Sequence, residues 1–141
     1  DPWLRDRVTR QGDLSHYNSC NVLSLHALLG AYSDEGAQWL DELRPVLADN
    51  IRYACDFIAA HFPGVQVMQP QGTYMLFLDC AAWLQEHHMT LRELEERGAR
   101  AGVIWQDGAA FAWPDSIRMN LALPHSRLVE AMERLRVHAF C

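Results

Sequence analysis

The chain has 141 residues, of which 50% are apolar and 21% are charged, and its formal net charge is −6. This length and composition indicate one globular domain rather than a disordered segment. The acidic balance, without a clustered basic face, argues against a nucleic-acid-binding surface, and no apolar run approaches the roughly 20 residues that span a bilayer. The first residues lack the apolar core of a signal peptide, so we expect a soluble protein of the cytoplasm.

Three helices are predicted at the start of the chain. Asp1-Pro2 has the form of an N-cap followed by proline at N1, which predicts a short helix that ends near Gly12. The polar stretch from Gly12 to Ser19 is turn-like, and a second helix is predicted over Asn21–Tyr32, with leucines on one face. From Gly36 to His61 apolar residues recur at gaps of three and four, and Pro45 is expected to kink this third helix.

Strands and helices alternate in the remainder of the chain. Thr90 and Glu93 form a capping box that starts one helix, and Pro124-His125-Ser126 caps the last helix, whose Leu128 and Leu135 are expected to face inward. The predicted strands are Val65–Met68, Thr73–Leu78, Val103–Trp105 and Ser116–Leu121, and a further short helix is predicted over Ala81–His88. This order predicts the α/β class, with helices that cover a small sheet of about four strands.

The first part of the chain differs from the rest because it carries no predicted strand. Residues 1–35 hold two amphipathic helices that need a partner surface, whereas residues 36–141 hold the α/β pattern. The sequence therefore predicts two regions with a boundary near residue 35.

Several side chains that often carry chemistry lack the spacing that chemistry needs. The histidines show no metal-ligand pattern, since His87 and His88 are adjacent and diverge on a helix, so no metal site is predicted. No two of the four cysteines form a CxxC pair, and Cys55 and Cys80 are expected to be buried free thiols. Glu95-Glu96 is interpreted as a solvated helix face rather than as a carboxylate pair for acid–base catalysis.

Three stretches of the sequence together resemble one family. They are Trp39–Leu43 with Asp49–Arg52, then Gln69–Asp79, and finally Val103–Pro124. Their order and spacing resemble the C-terminal small domain of the class I and II aminotransferases, which are pyridoxal-phosphate (PLP) enzymes of fold type I. The Pro-x-Gly-Thr-Tyr strand and the Trp-Leu-x-Glu-Leu helix look most similar to the cystathionine β-lyase branch related to MalY and PatB.

The resemblance implies that the chain is the C-terminal part of a longer protein, here called the parent protein. Residues 1–35 would be a helical remnant of its large PLP-binding domain, and residues 36–141 its small domain. Arginine fills all 12 lysine and arginine positions, and in the family the lysine that forms the Schiff base with PLP lies upstream of the matching segment. We therefore expect no catalytic residue in this chain, no stable binding of PLP to it, and no activity of the chain alone.

The function implied for the parent protein is PLP-dependent C–S β-elimination from cystathionine-like amino acids. Transamination of amino acids is the alternative, because both reactions use the same arginine. The resemblance also implies a small amino-acid substrate and a homodimer. From the residues alone, a binding or regulatory module without catalysis, or an acidic scaffold domain, stays open.

Arg118 is the principal candidate for substrate binding. A forked guanidinium holds a carboxylate by two parallel hydrogen bonds, and the resemblance assigns this role toward the substrate α-carboxylate to Arg118. Without the resemblance, an arginine on a strand is more often a surface or salt-bridged residue. Asn120 lies on the same face of the strand and would either help to shape the site or fill a polar edge.

Gly72 and Tyr74 flank the strand that faces the cofactor in full-length relatives, and the resemblance makes both candidates for substrate binding. Gly72 is either a turn glycine with positive φ or a point of close substrate approach, and Tyr74 is expected in the core. The loop Gly108–Asp115 departs from the family pattern, because Ala112-Trp113-Pro114 follows Phe111 where many relatives have glycines. We expect a stiffer loop in which Trp113 adds bulk near the substrate entry.

Overall fold

The computed structural model describes residues 1–16 and 20–141, so residues 17–19 of the predicted turn lie outside the described residues. Two compact units are present, Asp1–Glu42 and Leu43–Cys141. The elements in chain order are helices α1 (Pro2–Ser15), α2 (Val22–Ala31) and α3 (Asp34–His61), strands β1 (Gln66–Val67) and β2 (Met75–Asp79), helices α4 (Ala81–Glu86) and α5 (Leu91–Arg100), strand β3 (Gln106–Asp107), a 3-10 turn (Gly108–Phe111), strand β4 (Ser116–Asn120) and helix α6 (His125–His138). Within the described residues, no helix is both long enough and apolar enough to cross a membrane.

The helices of the first unit form where their caps predict. The carboxylate of Asp1 accepts a hydrogen bond from the backbone N–H of Trp3 at 2.9 Å, and the side chain of Asn21 accepts one from the N–H of Ser24 at 2.9 Å. Helix α1 continues past its predicted end at Gly12 as far as Ser15. No residue of α1 or α2 is buried, and the exposed apolar side chains include Trp3, Leu4, Val8, Val22, Leu23, Leu28 and Leu29.

The second unit is built on a four-stranded antiparallel sheet with the strand order β1-β2-β4-β3, and this confirms the predicted sheet size. Alternate residues of β2 and β4 enter the core because successive side chains of a strand point to opposite faces. The buried residues of this inner face are Leu76, Leu78, Ile117 and Met119. Helices α3, α5 and α6 contribute Ile51, Ala54, Ile58, Leu94, Leu128, Met132 and Leu135 to the same core. The helices thus contribute to a core on one side of the sheet, and each fully buried leucine contributes about 1.5–3 kcal/mol.

The third strand was predicted at the wrong position: it covers Gln106–Asp107 and not Val103–Trp105. Val103 and Trp105 are half-buried against the core while Ile104 is 87% exposed, so the alternation that suggested a strand is real. However, the ladder with β4 involves only Gln106 and Asp107, which pair with Arg118 and Ile117. The preceding residues lack a strand partner and form a connection, and the indole of Trp105 packs over Gly98 of α5, where a Cβ would collide with it.

A buried amide, that of Asn50 on α3, links this helix to the segment that follows β4. Its Nδ2 donates to the carbonyl oxygens of Leu121 and Leu123, both at 2.9 Å, and Asn50 is 0% exposed. Its Oδ1 lies 3.0 Å from Nδ1 of His125, the first residue of α6. Because Nδ2 uses both hydrogens on carbonyls, Oδ1 is the acceptor, and His125 Nδ1 must carry the proton.

We predict that Asn50→Leu lowers the free energy of unfolding by about 3 kcal/mol, since it removes three hydrogen bonds of a fully buried amide, to the carbonyls of Leu121 and Leu123 and to the imidazole of His125, at about 1 kcal/mol each. Urea denaturation of the 141-residue chain measures the change. Arg52→Ala, which removes an exposed ion pair with Asp49 on the same helix, is the control and should cost less than about 0.5 kcal/mol. A similar small loss for both variants would contradict the role of the amide.

Candidate substrate-binding face of the sheet

The side of the sheet opposite the core presents polar and aromatic side chains, and we call it the open face. It consists of Gln66 on β1, Met75, Phe77 and Asp79 on β2, Gln106 on β3, and Arg118 and Asn120 on β4, all of them exposed or half-buried. The strand register brings these residues together, because directly opposite residues of an antiparallel pair share a face. Arg118 is opposite Phe77 on one side and opposite Gln106 on the other.

Arg118 is held by two neighbours on this face. Its Nη1 donates a hydrogen bond to Oε1 of Gln106 at 3.0 Å. Its guanidinium carbon lies 4.6 Å from the ring centroid of Phe111, and Phe111 in turn meets Phe77 edge-on, with centroids 6.1 Å apart and an interplanar angle of 87°. Arg118 is thus half-buried in contact with one amide and one aromatic ring.

No carboxylate among the described residues forms an ion pair with Arg118. None of the ion pairs in residues 1–16 and 20–141 involves Arg118, whereas several helix arginines pair with carboxylates one turn away, as Arg127 does with Glu130 at 3.1 Å. Of the alternative that Arg118 is a surface or salt-bridged residue, the salt-bridged half is therefore wrong in the described residues, and the surface half stays open. A positive charge with unused donors remains on the open face, which suits an anionic group of a ligand.

Asn120 also lies on the open face, but one of its side-chain polar atoms forms a hydrogen bond with the backbone. Its Oδ1 accepts a hydrogen bond from the N–H of Ala122 at 2.8 Å, and it lies opposite Met75 in the ladder. The side chain therefore supports the turn that leaves β4. Its role toward a substrate stays a prediction.

Two expectations about the segment before β2 are wrong. Gly72 does not adopt positive φ; it is Thr73 that does, at 68°. Tyr74 is 43% exposed and not in the core, although its carbonyl oxygen accepts a hydrogen bond from the N–H of Leu121 at 2.9 Å. A Cβ placed on Gly72 would meet no atom within 4 Å, so this chain itself does not require glycine there. The alternative for Gly72, close approach of a substrate, stays a prediction.

A groove of about 720 Å³ lies along the β1–β2 side of the open face. Its walls are formed by residues 66–71, by Met75, Phe77 and Asp79, and by Trp113. Phe77 therefore faces both the groove and the pair Arg118–Phe111. Trp113 is 55% exposed at this wall, and its expected place near a substrate entry stays a prediction.

The loop that carries Trp113 contains backbone conformations that glycine would adopt more easily. Ala112 has φ 60° and Asp115 has φ 61°. The N–H of Trp113 donates to the carbonyl of Gly108 at 3.1 Å, and the hydroxyl of Ser116 donates to the carbonyl of Trp113 at 2.6 Å. The loop is thus folded back on itself, and it holds a left-handed alanine where the family pattern has glycine.

A buried thiol lies directly after β2. Cys80 is 0% exposed, and its N–H donates to the carbonyl of Asp115 at 2.9 Å. Burial, together with the nearby carboxylates of Asp79 and Asp115, raises the pKa of the Cys80 thiol from 9.0 to about 12. The expectation of a buried free thiol is confirmed for Cys80, while Cys55 is only half-buried.

The histidines and the Glu95-Glu96 pair are the remaining side chains that could carry chemistry. His87 stacks on Trp83 with ring centroids 4.0 Å apart, and its Nδ1 lies 2.8 Å from the carbonyl oxygen of Trp83. Within the described ranges, no three metal-binding side chains come together. Glu95 lies on α5, where burial and the nearby charge of Asp107 raise its pKa.

The two residues that contact Arg118, Gln106 and Phe111, were not predicted from the sequence to be its neighbours. Phe111 was part of a family motif, but its ring contact depends on the 3-10 turn. Gln106 carries no sequence signal, because it lies just after the predicted strand Val103–Trp105, whereas in the structure it begins β3.

Comparison with known proteins identifies the family to which this chain belongs. The family described as "Aminotransferase class I and II" matches residues 9–135, and the chain therefore belongs to this family.

Two individual relatives show which members of the family the chain is similar to. Protein MalY of Escherichia coli (strain K12) is 33% identical over 122 residues, which are 84% of this chain and 30% of MalY. The cystathionine beta-lyase of Corynebacterium glutamicum is 35% identical over 131 residues, 91% of this chain and 31% of that protein. The chain thus spans about a third of the length of these relatives.

Solved structures resemble the chain in fold over nearly its full length. A PLP-bound putative aminotransferase from Clostridium difficile 630 has a TM-score of 0.81 and 28% identity, covering 97% of this chain and 35% of that chain. Cystalysin from Treponema denticola, whose crystal structure contains pyridoxal 5'-phosphate, has a TM-score of 0.80 and 27% identity, covering 97% of this chain and 34% of that one.

We predict that Ala112→Gly raises the free energy of unfolding by about 1 kcal/mol, because glycine adopts the left-handed conformation without the steric cost that a Cβ adds. Urea denaturation measures this. Ala110→Gly, in the adjacent 3-10 turn, is the matched control and should instead cost about 0.5–1 kcal/mol. Destabilisation by both variants would show that Ala112 carries no such strain.

We predict that Cys80 makes the chain less stable at high pH. In the unfolded chain the thiol ionises near pH 9.0, whereas in the folded chain it stays protonated up to about pH 12, so ionisation favours unfolding between these values. From about pH 8 to about pH 10.5 the unfolding free energy should fall by about 2 kcal/mol less in Cys80→Ala than in the unmodified chain. Cys141→Ala, which removes an exposed thiol, is the control, and an equal fall in all three proteins would contradict the prediction.

Proposed function

We propose that this chain is the C-terminal small-domain part of a PLP-dependent C–S β-lyase and that Arg118 binds the α-carboxylate of its amino-acid substrate. The observation that carries the proposal is the position of Arg118 on the open face, half-buried and without an ion-pair partner in the described chain. The similarity to MalY and to a cystathionine beta-lyase supports the reaction class.

The environment of Arg118 supports carboxylate binding in physical terms. A guanidinium has five N–H donors, and the contact with Gln106 uses one of them, at Nη1. The remaining donors suffice for two parallel hydrogen bonds to a carboxylate. Phe111 and Phe77 keep one side of the group apolar, which strengthens the attraction between opposite charges relative to open water. The binding step assigned to this chain is to fix the substrate by its carboxylate.

The residues of this chain do not fit a site that holds PLP covalently, because the chain has no lysine. Under the proposal, residues outside this chain bind PLP, which serves as the electron sink for bond cleavage. Residues 1–35 would then be a helical remnant of the large domain, and 36–141 the small domain. The exposed apolar side chains of α1 and α2 support this, since uncovered apolar surface usually marks a contact. We also propose that the parent protein is a homodimer that acts on small amino acids.

Transamination of amino acids is the second candidate. A putative aminotransferase is among the solved structures that resemble the chain, and a probable aspartate/prephenate aminotransferase of Aquifex aeolicus (strain VF5) is 31% identical over 74 residues. Both reactions begin with an amino acid held by its carboxylate, so Arg118 has the same role in either.

The decisive measurement uses the parent protein with PLP and cystathionine. We expect release of a thiol, a 2-oxo acid and ammonia without an added amino-group acceptor, whereas transamination would require an added 2-oxo acid. A parent protein with neither activity would favour a binding or regulatory module. We expect the 141-residue chain alone to be inactive, and a stable, stoichiometric PLP absorbance band in that chain would contradict our assignment of PLP binding to other residues.

We predict that Arg118→Leu in the parent protein raises KM for the amino-acid substrate by about 100-fold, because two charge-assisted hydrogen bonds are lost. Arg118→Lys, which keeps the charge but not the fork, should give a smaller increase. Steady-state kinetics measures both. Arg92→Leu, which removes an exposed arginine of α5, is the control and should leave KM unchanged. An unchanged KM in Arg118→Leu would rule out the carboxylate role.

A further inference from the structure

We infer that Gln106 and Phe111 are positioning residues, which hold the guanidinium of Arg118 in one orientation with its carboxylate-binding edge free. This inference rests on the proposed function of Arg118. It adds that the segment Gln106–Phe111, formed by β3 and the 3-10 turn, determines how well Arg118 performs that function.

A free arginine side chain is a poor carboxylate site because it is flexible. Ordering such a side chain costs up to about 2 kcal/mol, and a ligand that must order it binds more weakly by that amount. If neighbours in the folded protein already hold the guanidinium, this cost is met during folding. Preorganisation of Arg118 therefore increases the affinity for the substrate without adding a contact to it.

Gln106 orients Arg118 without neutralising it. The two residues are opposite each other in the β3–β4 ladder, and the amide Oε1 accepts from Nη1 at 3.0 Å. A glutamate at this position would make a stronger contact but would also occupy the guanidinium as an ion pair. A neutral acceptor keeps the full positive charge for the ligand. This distinguishes Arg118 from Arg134, which pairs with the carboxylate of Glu130.

Phe111 fixes the plane of the guanidinium. The distance of 4.6 Å from the guanidinium carbon to the ring centroid lies within the range of cation–π contacts. Phe111 is itself held by edge-on contact with Phe77 and by the 3-10 turn, whose N-cap Asp107 accepts from the N–H of Ala109 at 2.7 Å. The guanidinium carbon lies over the ring, and a phenyl ring has no oxygen or nitrogen acceptor that would take up the N–H donors. The contact thus restrains the group without consuming its donors.

The 141-residue chain offers a direct test of the geometry by NMR of its arginine side chains. We expect the side-chain N–H signals of Arg118 to show a ring-current shift and slowed rotation, in contrast to those of the exposed Arg92. Phe111→Leu should abolish the shift, and Gln106→Ala should speed the rotation. Gln66→Ala is the matched control, since Gln66 is also an exposed glutamine on a two-residue edge strand, and it should change neither signal. Arg118 signals like those of Arg92 in the unmodified chain would overturn the inference.

Kinetics of the parent protein tests the consequence. Phe111→Leu and Gln106→Ala should each raise KM by about fivefold with kcat unchanged, since each removes part of the preorganisation. Gln106→Glu, nearly equal in shape, should raise KM more than Gln106→Ala, because its carboxylate competes with the substrate. Gln85→Ala, on α4, should leave the kinetics unchanged.

Double variants separate positioning from a direct substrate contact. If Gln106 acts through Arg118, then Gln106→Ala should have no further effect on KM in the Arg118→Leu background. An additive effect there would overturn the inference. If Arg118→Leu raises KM while the Gln106 and Phe111 variants match the unmodified protein, only the positioning inference fails. If Arg118→Leu itself leaves KM unchanged, the proposed function fails as well.

Discussion

The buried carboxamide of Asn50 is the interaction on which the geometry of the second unit depends. It bonds the carbonyls of Leu121 and Leu123, where the chain leaves β4, and the imidazole of His125, where α6 begins. The amide of Asn50 is itself 0% exposed, so these three hydrogen bonds satisfy its polar atoms, and each contributes about 0.5–1.5 kcal/mol. One amide on a helix therefore fixes the exit of the strand that carries Arg118.

The two faces of the sheet carry different kinds of residue: one face packs into the core, and the other is the open face. Leu76, Leu78 and Ile117 point into the core and tolerate little change, because deletion of a buried side chain leaves a cavity. Phe77 lies between Leu76 and Leu78 in sequence, and Arg118 follows Ile117, but both belong to the open face. A substitution there changes the surface that a ligand or another part of the parent protein would meet. The period of two along a strand is what allows both roles within five residues.

Arg118 differs from the helix arginines in its neighbours. Arginines of α5 and α6 pair with glutamates one turn away, at solvated positions where such pairs contribute little. Arg118 has an amide and an aromatic ring as neighbours instead, and these restrain its position without neutralising its charge. We propose above that a longer polypeptide completes the site. Two observations support this: α1 and α2 expose apolar side chains, and the chain spans about a third of the length of its relatives.

The sequence by itself determined the features that depend on neighbours a few residues away. The N-cap at Asp1, the capping box of Thr90 and Glu93, and the inward-facing Leu128 and Leu135 of the last helix are present as predicted, because caps and helical faces are local. The strand of Arg118 was also predicted, since its alternation is local. Only the tertiary structure decided which residue of the third strand pairs with Arg118, that Tyr74 is exposed, and that Thr73 rather than Gly72 adopts positive φ. These features depend on strand partners and turns formed by residues distant in the chain, and no local pattern encodes such pairing.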